Sequence, residues 1–127
     1  MNHAEKVKIV ESYVSAYNSQ DFEGVLSIYA EDGTMEDPVG TPPAKGKEAI
    51  RALYKMGFDM GITLELEGRI RTAAEFAVFP LCATSESGKL YVVDQFEWNA
   101  AGKVIHMRAF WSPENLEGEM DTRPDLG

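Results

Sequence analysis

The chain has 127 residues and a mass of 14.1 kDa, enough for one domain that buries its own core without a metal or disulfide staple. Its 44% hydrophobic and 26% charged residues are a globular composition, and a formal net charge of −9 with scattered Lys and Arg argues against nucleic-acid and anionic-membrane partners. The one cysteine, Cys82, cannot close an internal disulfide, and no stretch is apolar enough for a secretory leader or a membrane span, so a cytoplasmic protein with a buried thiol is expected.

Asn2 can cap a helix, and Val7, Val10, Tyr13, Val14 and Tyr17 recur at three- and four-residue steps, which predicts a first helix over about 3–18. Asp21 is a second cap candidate, and Phe22, Val25, Leu26 and Tyr29 repeat the helical period up to the Asp32-Gly33 turn signal. A brief strand from Thr34 to Glu36 follows, stopped by Asp37-Pro38, because proline drives the preceding residue toward extended geometry. Past Gly40 and the Pro42-Pro43 pair, Ile50, Leu53 and Tyr54 mark a third helix over Lys47 to Met56, with Gly57 as its stop.

The period then changes from 3.6 to 2. Ile62, Leu64 and Leu66 alternate against Thr63, Glu65 and Glu67 as a half-buried strand, and Phe76–Thr84, Lys89–Asn99 and Lys103–Ser112 read as three more, joined by Ser87-Gly88 and Ala101-Gly102 turns. Helices followed by an antiparallel meander imply an α+β domain with helices on one sheet face. No repeat or linker divides it, so a single domain over 1–127 is expected. From Pro113 onward Glu114, Glu117, Glu119, Asp121 and Asp125 crowd a segment without apolar period, which reads as a mobile acidic tail over about 113–127.

Strand alternation puts Leu90, Val92, Asp94, Phe96 and Trp98 on one face, an acid in an apolar stripe. A carboxylate taken out of water without a partner raises its pKa and stays neutral, so Asp94 is a candidate hydrogen-bond donor. An aspartate satisfied by backbone amides at a sheet irregularity is the competing structural reading. Asp37, between a strand and a proline, can point into a cone between helices and sheet, but Asp-Pro is also a common turn opening and Glu36 stands beside it. Tyr13 lies on the apolar face of the first helix, where core tyrosines also occur. His3 and His106 are the two histidines, without helical spacing or ligand cysteines, which speaks against a metal centre.

Together these residues carry a resemblance. The run YAEDGTMEDPVGTPPAKGKEAIRALY, with ESYVSAY upstream and VVDQFEWNAAGKVIHMRAFW downstream, closely resembles the bacterial Δ5-3-ketosteroid isomerases of the NTF2-like, SnoaL-like superfamily. It covers the chain to about Leu116 and thins between Leu64 and Lys89. The resemblance implies a curved antiparallel sheet wrapped with three helices into a conical pocket. By motif, the proton-transferring aspartate falls on Asp37 in EDPVG, the oxyanion-hole tyrosine on Tyr13 in ESYVSAY, and the protonated oxyanion-hole aspartate on Asp94 in VVDQF. Tyr29 in SIYAED and Tyr54 in ALYKMG match two tyrosines that support Tyr13. These isomerases are themselves an established example of a carboxylic acid kept neutral by an apolar site, so a raised pKa for Asp94 is inherited from the resemblance.

The activity so implied moves the double bond of a 3-oxo-Δ5-steroid into conjugation through a dienolate, with Asp37 carrying the proton and Tyr13 and neutral Asp94 holding the oxygen. It needs no metal or organic cofactor. An apolar multi-ring substrate calls for apolar walls, for which Leu81, Val92, Met107 and Trp111 are candidates, each of them equally suited to an ordinary core. A polyketide cyclase using one acid and a non-catalytic binding cone stay open. An epoxide hydrolase with an Asp-Arg-Asp group fits less well, since Arg108 has the wrong parity relative to Met107 and Trp111. The face carrying His106, Arg108 and Phe110 would be a mixed surface, and the family's habit implies a homodimer through it.

Overall fold

The structure is a computed structural model and describes residues 1–120. Helix α1 (His3–Asn18) begins where predicted. The Asn2 side chain accepts from the Glu5 N–H at 2.8 Å and the Glu5 carboxylate accepts from the Asn2 N–H at 2.8 Å, so two amide donors at the helix start are satisfied reciprocally. Val10, Tyr13 and Tyr17 are buried along one side of it. Helix α2 (Phe22–Leu26) starts at Asp21, whose carboxylate accepts from the Gly24 N–H at 3.0 Å.

The helical period does not run on to Tyr29, which already opens strand β1 (Tyr29–Glu36). Asp32-Gly33 is therefore not the turn its composition suggests. It lies where the register of β1 against β7 (Val104–Phe110) shifts. A Cβ on Gly33 would stand 3.1 Å from the carbonyl oxygens of both Ala30 and Val104, so glycine lets the irregular stretch of β1 approach its neighbour. Short β2 (Ala44–Lys45) follows, then α3 (Lys47–Asp59). This helix continues past Gly57, where the missing side chain makes room for the Tyr17 hydroxyl, and the chain turns instead at Gly61, φ +72°.

Strands β3 (Thr63–Leu66), β4 (Arg71–Ala73), β5 (Phe76–Thr84), β6 (Gly88–Trp98) and β8 (Leu116–Gly118) complete one curved sheet. Its order is β2-β1-β7-β6-β5-β3, with β4 also on β5 and β8 also on β6. The meander β5-β6-β7 is antiparallel as the turns predict, but β1 runs parallel to β7. A parallel pair needs a long crossover, and everything between Asp37 and Lys103 provides it. The fold is thus α+β, with three helices against one face of a sheet that does not close. Between those layers lies the core: Val10, Val25, Ile50, Phe79, Phe96 and Val104 each expose 0%, and burying a side chain of this size contributes roughly 1.5–3 kcal/mol.

The expected tail is corrected over its first part. Pro113–Asn115 form a 3₁₀ turn, and β8 pairs with the start of β6, aligning Leu116 with Leu90 and Gly118 with Gly88. Backbone pairing rather than apolar period orders this stretch, which explains why its composition hides it. Residues 121–127 of that segment lie outside the described residues. Among the described residues no helix is long and apolar enough to cross a membrane.

Candidate active site

The alternation along β6 turns Leu90, Asp94, Phe96 and Trp98 inward. Asp94 is 3% exposed and aligned with Phe79 on β5 and Ala109 on β7, so both its flanks across the sheet are apolar. Loss of hydration pushes its carboxyl pKa well above the ordinary range, and the nearby charge of Asp37 pushes it the same way. Both causes favour the protonated carboxylic acid over the carboxylate.

Tyr13 reaches the same cavity from α1. Its ring is held edge-on against Phe96, with centroids 5.3 Å apart and planes at 81°, and against Tyr54 at 6.1 Å. Burial raises the Tyr13 pKa first and the Asp94 charge adds to it, while a hydrogen bond with Tyr54 acts in the opposite direction. Behind it, the Tyr54 and Tyr29 hydroxyls are 2.7 Å apart. Burial raises the pKa of both, so all three phenols keep their protons across the physiological range.

Asp37 follows the end of β1 and precedes Pro38 across a cis peptide bond. The Trp111 indole Nε1–H donates to Asp37 Oδ1 at 2.6 Å, a charge-assisted bond when the carboxyl is ionised. Its neighbour Glu36 is turned elsewhere: Oε2 accepts from the Gly40 N–H at 3.0 Å and Oε1 from Arg108 Nε at 3.1 Å. The Gly40 bond, then Arg108, lowers the Glu36 pKa. The Val39 N–H donates to the Ala109 carbonyl at 2.8 Å and ties the same loop to β7. Adjacent acids thus have separate surroundings, one on the cavity and one on the sheet's other face.

The cavity encloses about 790 Å³, its open mouth included, and its wall contains Tyr13, Asp37, Tyr54, Leu81, Val92, Asp94, Met107 and Trp111. Every residue proposed from the sequence for the site or its lining contributes to that wall except Tyr29, which stands behind Tyr54. Trp111 is more than lining, because it bonds to Asp37. Sequence reasoning missed Tyr17, Met35, Leu53, Met60, Leu90 and Met120, which also line the cavity. Tyr17 was findable, one turn from Tyr13 on the same helix face. Met120 had no local signal, because its place depends on the pairing of β8.

Comparison with known proteins adds four similarities. The family model described as a SnoaL-like domain matches residues 10–111. A steroid Delta-isomerase of Nocardioides simplex is 32% identical over 117 residues, 89% of this chain and 94% of its own. Epoxide hydrolase LasB of Streptomyces lasalocidi is 27% identical over 93% of this chain, which spans 45% of that longer protein. Among solved structures, the epoxide hydrolase/cyclase-like enzyme SalBIII, described in pyran ring formation in the polyether salinomycin, is similar with a TM-score of 0.85. That likeness covers 94% of this chain and 100% of its own at 25% identity.

Proposed function

The chain belongs to the SnoaL-like domain family, and on that premise we propose that it is a steroid Δ-isomerase acting on 3-oxo-Δ5-steroids. One observation carries the reading: a buried acid whose pKa burial raises, Asp94, and a buried phenol, Tyr13, share a largely apolar cavity with a second carboxyl, Asp37, that has its own hydrogen-bond donor. Between the carbonyl and the alkene of such a steroid lies an acidic C–H. The Asp37 carboxylate takes that proton, the electron pair moves through the dienolate onto the carbonyl oxygen, and the same carboxyl returns the proton two carbons along. Tyr13 and Asp94 donate to the oxygen while its charge is greatest, where preorganised donors in a dry site contribute most. Tyr54 and Tyr29 orient Tyr13. Reactant and product are isomers, so the cycle consumes no cofactor.

The cytoplasm is the setting in this reading, and the assembly is a homodimer through the sheet's outer face. There Val78, Val93 and Phe110 are 36%, 42% and 40% exposed, and Arg108 lies over the Phe110 ring at 5.4 Å. A monomer mass by light scattering at micromolar concentration overturns the dimer.

A second reading follows from the similarity to the epoxide hydrolase and cyclase-like proteins. The same acid could protonate an opening epoxide while Asp37 activates a hydroxyl. No arginine lines the cavity among the described residues, so an Asp-Arg-Asp water site is not what supports it. The two readings separate on one assay, the ultraviolet appearance of conjugated enone from 5-androstene-3,17-dione. Isomerisation is expected, falling by about 10³–10⁴ in Asp37→Asn, the upper range for a positioned general base. Folded wild-type protein with no conversion above buffer removes the isomerase and leaves a cyclase or a binding cone.

A further inference from the structure

The registers of the sheet give the cavity a long axis. Asp94 shares a row with Phe79 and Ala109. Two residues back along β6, Val92 shares a row with Leu81 and Leu66, and two further back Leu90 shares one with Ala83 and Leu64. The last row stands about 13 Å from the first at the ordinary strand rise. Tyr13, packed against Phe96, stands at the Asp94 end, and the row at Leu90 is apolar. Beside Leu90, β8 takes the edge of β6 that β7 occupies farther along. Two residues after Gly118, Met120 turns into the cavity wall.

This placement is built into the backbone. The Glu119 N–H donates to the Ser87 carbonyl at 3.0 Å, and Ser87 Oγ donates to the Glu119 carbonyl at 2.8 Å. A Cβ on Gly88 would come within 2.5 Å of the Glu119 oxygen, and one on Gly118, at φ +82°, would run into the Ser87 carbonyl. Two glycines therefore let the strap lie directly on the β5-β6 hairpin. Tyr91 OH adds a bond to Glu117 Oε2 at 2.9 Å.

We propose that Met120 is a specificity-determining residue that closes the end of the cavity opposite Asp94 and sets the length of apolar substrate that fits. The inference rests on the isomerase reading and adds the selectivity of that site. With the reacting carbonyl fixed at Tyr13 and Asp94, the far end of a rigid ring system arrives at Leu90 and Met120, and a longer substituent there must displace the methionine.

The test compares kcat/KM for 5-androstene-3,17-dione and 5-pregnene-3,20-dione, whose extra two-carbon side chain sits at the far end. In Met120→Ala the pregnene-to-androstene ratio rises about tenfold, and in Met120→Trp it falls by about as much, the scale set by one or two carbons in an apolar pocket. Gly118→Val, which dislodges the strap without touching the cavity wall, raises the ratio as Met120→Ala does. An active wild type whose ratio stays within twofold in all three variants overturns the role of Met120 alone. A folded wild type that converts neither steroid overturns the isomerase reading and this inference with it.

Discussion

Asp94 and Asp37 reach one cavity from opposite kinds of backbone. Asp94 sits in the middle of an eleven-residue strand with a paired strand on each side, 3% exposed and flanked by Phe79 and Ala109. Asp37 sits on the loop after β1, between a glutamate and a cis proline, with the Trp111 N–H aimed at its Oδ1. A central strand offers its side chains no backbone amides, because the ladder has used them, so an acid there is left with hydrophobic neighbours that favour its protonated form. Loop residues meet donors brought in by other elements. One residue type thus meets two environments, and the backbone decides which.

After the loss in Asp37→Asn, the largest break in that comparison is expected from Asp94→Ala. If the neutral acid donates to the developing oxyanion, kcat for 5-androstene-3,17-dione falls by about 10²–10³, the usual loss of one oxyanion donor. Asp94→Asn, which keeps an N–H donor, should lose less. A drop under threefold in both variants would mean that Asp94 is a packing residue.

The contrast also has a sign in stability. Asp94 is raised in the folded state, so between its unfolded value, about 3.9, and its folded value the unfolded chain has released a proton that the native chain retains. Stability that is fully present below the unfolded value is then lost as pH rises toward the folded one. The slope from this group is about −1.4 kcal/mol per pH unit within that window. Asp94→Asn removes it. Urea midpoints from pH 4 to 8 should therefore show a variant that gains on the wild type as pH rises, and parallel curves would contradict the burial account.

How much of this could be read beforehand follows the range of the interaction. Asn2 marks the start of α1 within one turn, and the alternation of β6 points Asp94 inward, so both were legible. Whether Asp37 or Glu36 faces the cavity depends on Trp111 and Arg108, more than seventy positions away, and no local pattern carries it. Asp32-Gly33 has the composition of a turn, yet pairing with β7 draws it into β1. Gly57 reads as a helix stop, yet it serves the Tyr17 hydroxyl. The acidic run after Pro113 hides a strand because its partner is the start of β6.

A smaller effect tests what another element supplies to Asp37. Trp111→Phe keeps an aromatic ring in the wall and deletes the N–H that meets Oδ1. A lost charge-assisted bond of about 1.4 kcal/mol corresponds to a tenfold fall in kcat, with KM changing by less than the ring's complete removal would cause. If Trp111→Phe raises KM and spares kcat, the indole serves as wall rather than as a partner of the base.

The smallest effect belongs to Glu36, and its smallness is the point. Glu36 and Asp37 are consecutive acids, either of which could be the base on composition alone. Glu36 is bound to Gly40 and Arg108, and its carboxylate form is favoured by those donors. It therefore holds the loop's outer side, away from the cavity wall. Glu36→Gln retains an acceptor for the Gly40 N–H and gives up the ion pair with Arg108, which is part-exposed on both sides and so is weak by the ordinary behaviour of such pairs. In kcat the change should stay within about threefold, against the thousandfold or greater loss in Asp37→Asn. A Glu36→Gln variant that loses activity to the level of Asp37→Asn, while keeping the wild-type circular dichroism spectrum, would reverse the assignment of the base and require the loop to turn over on binding substrate.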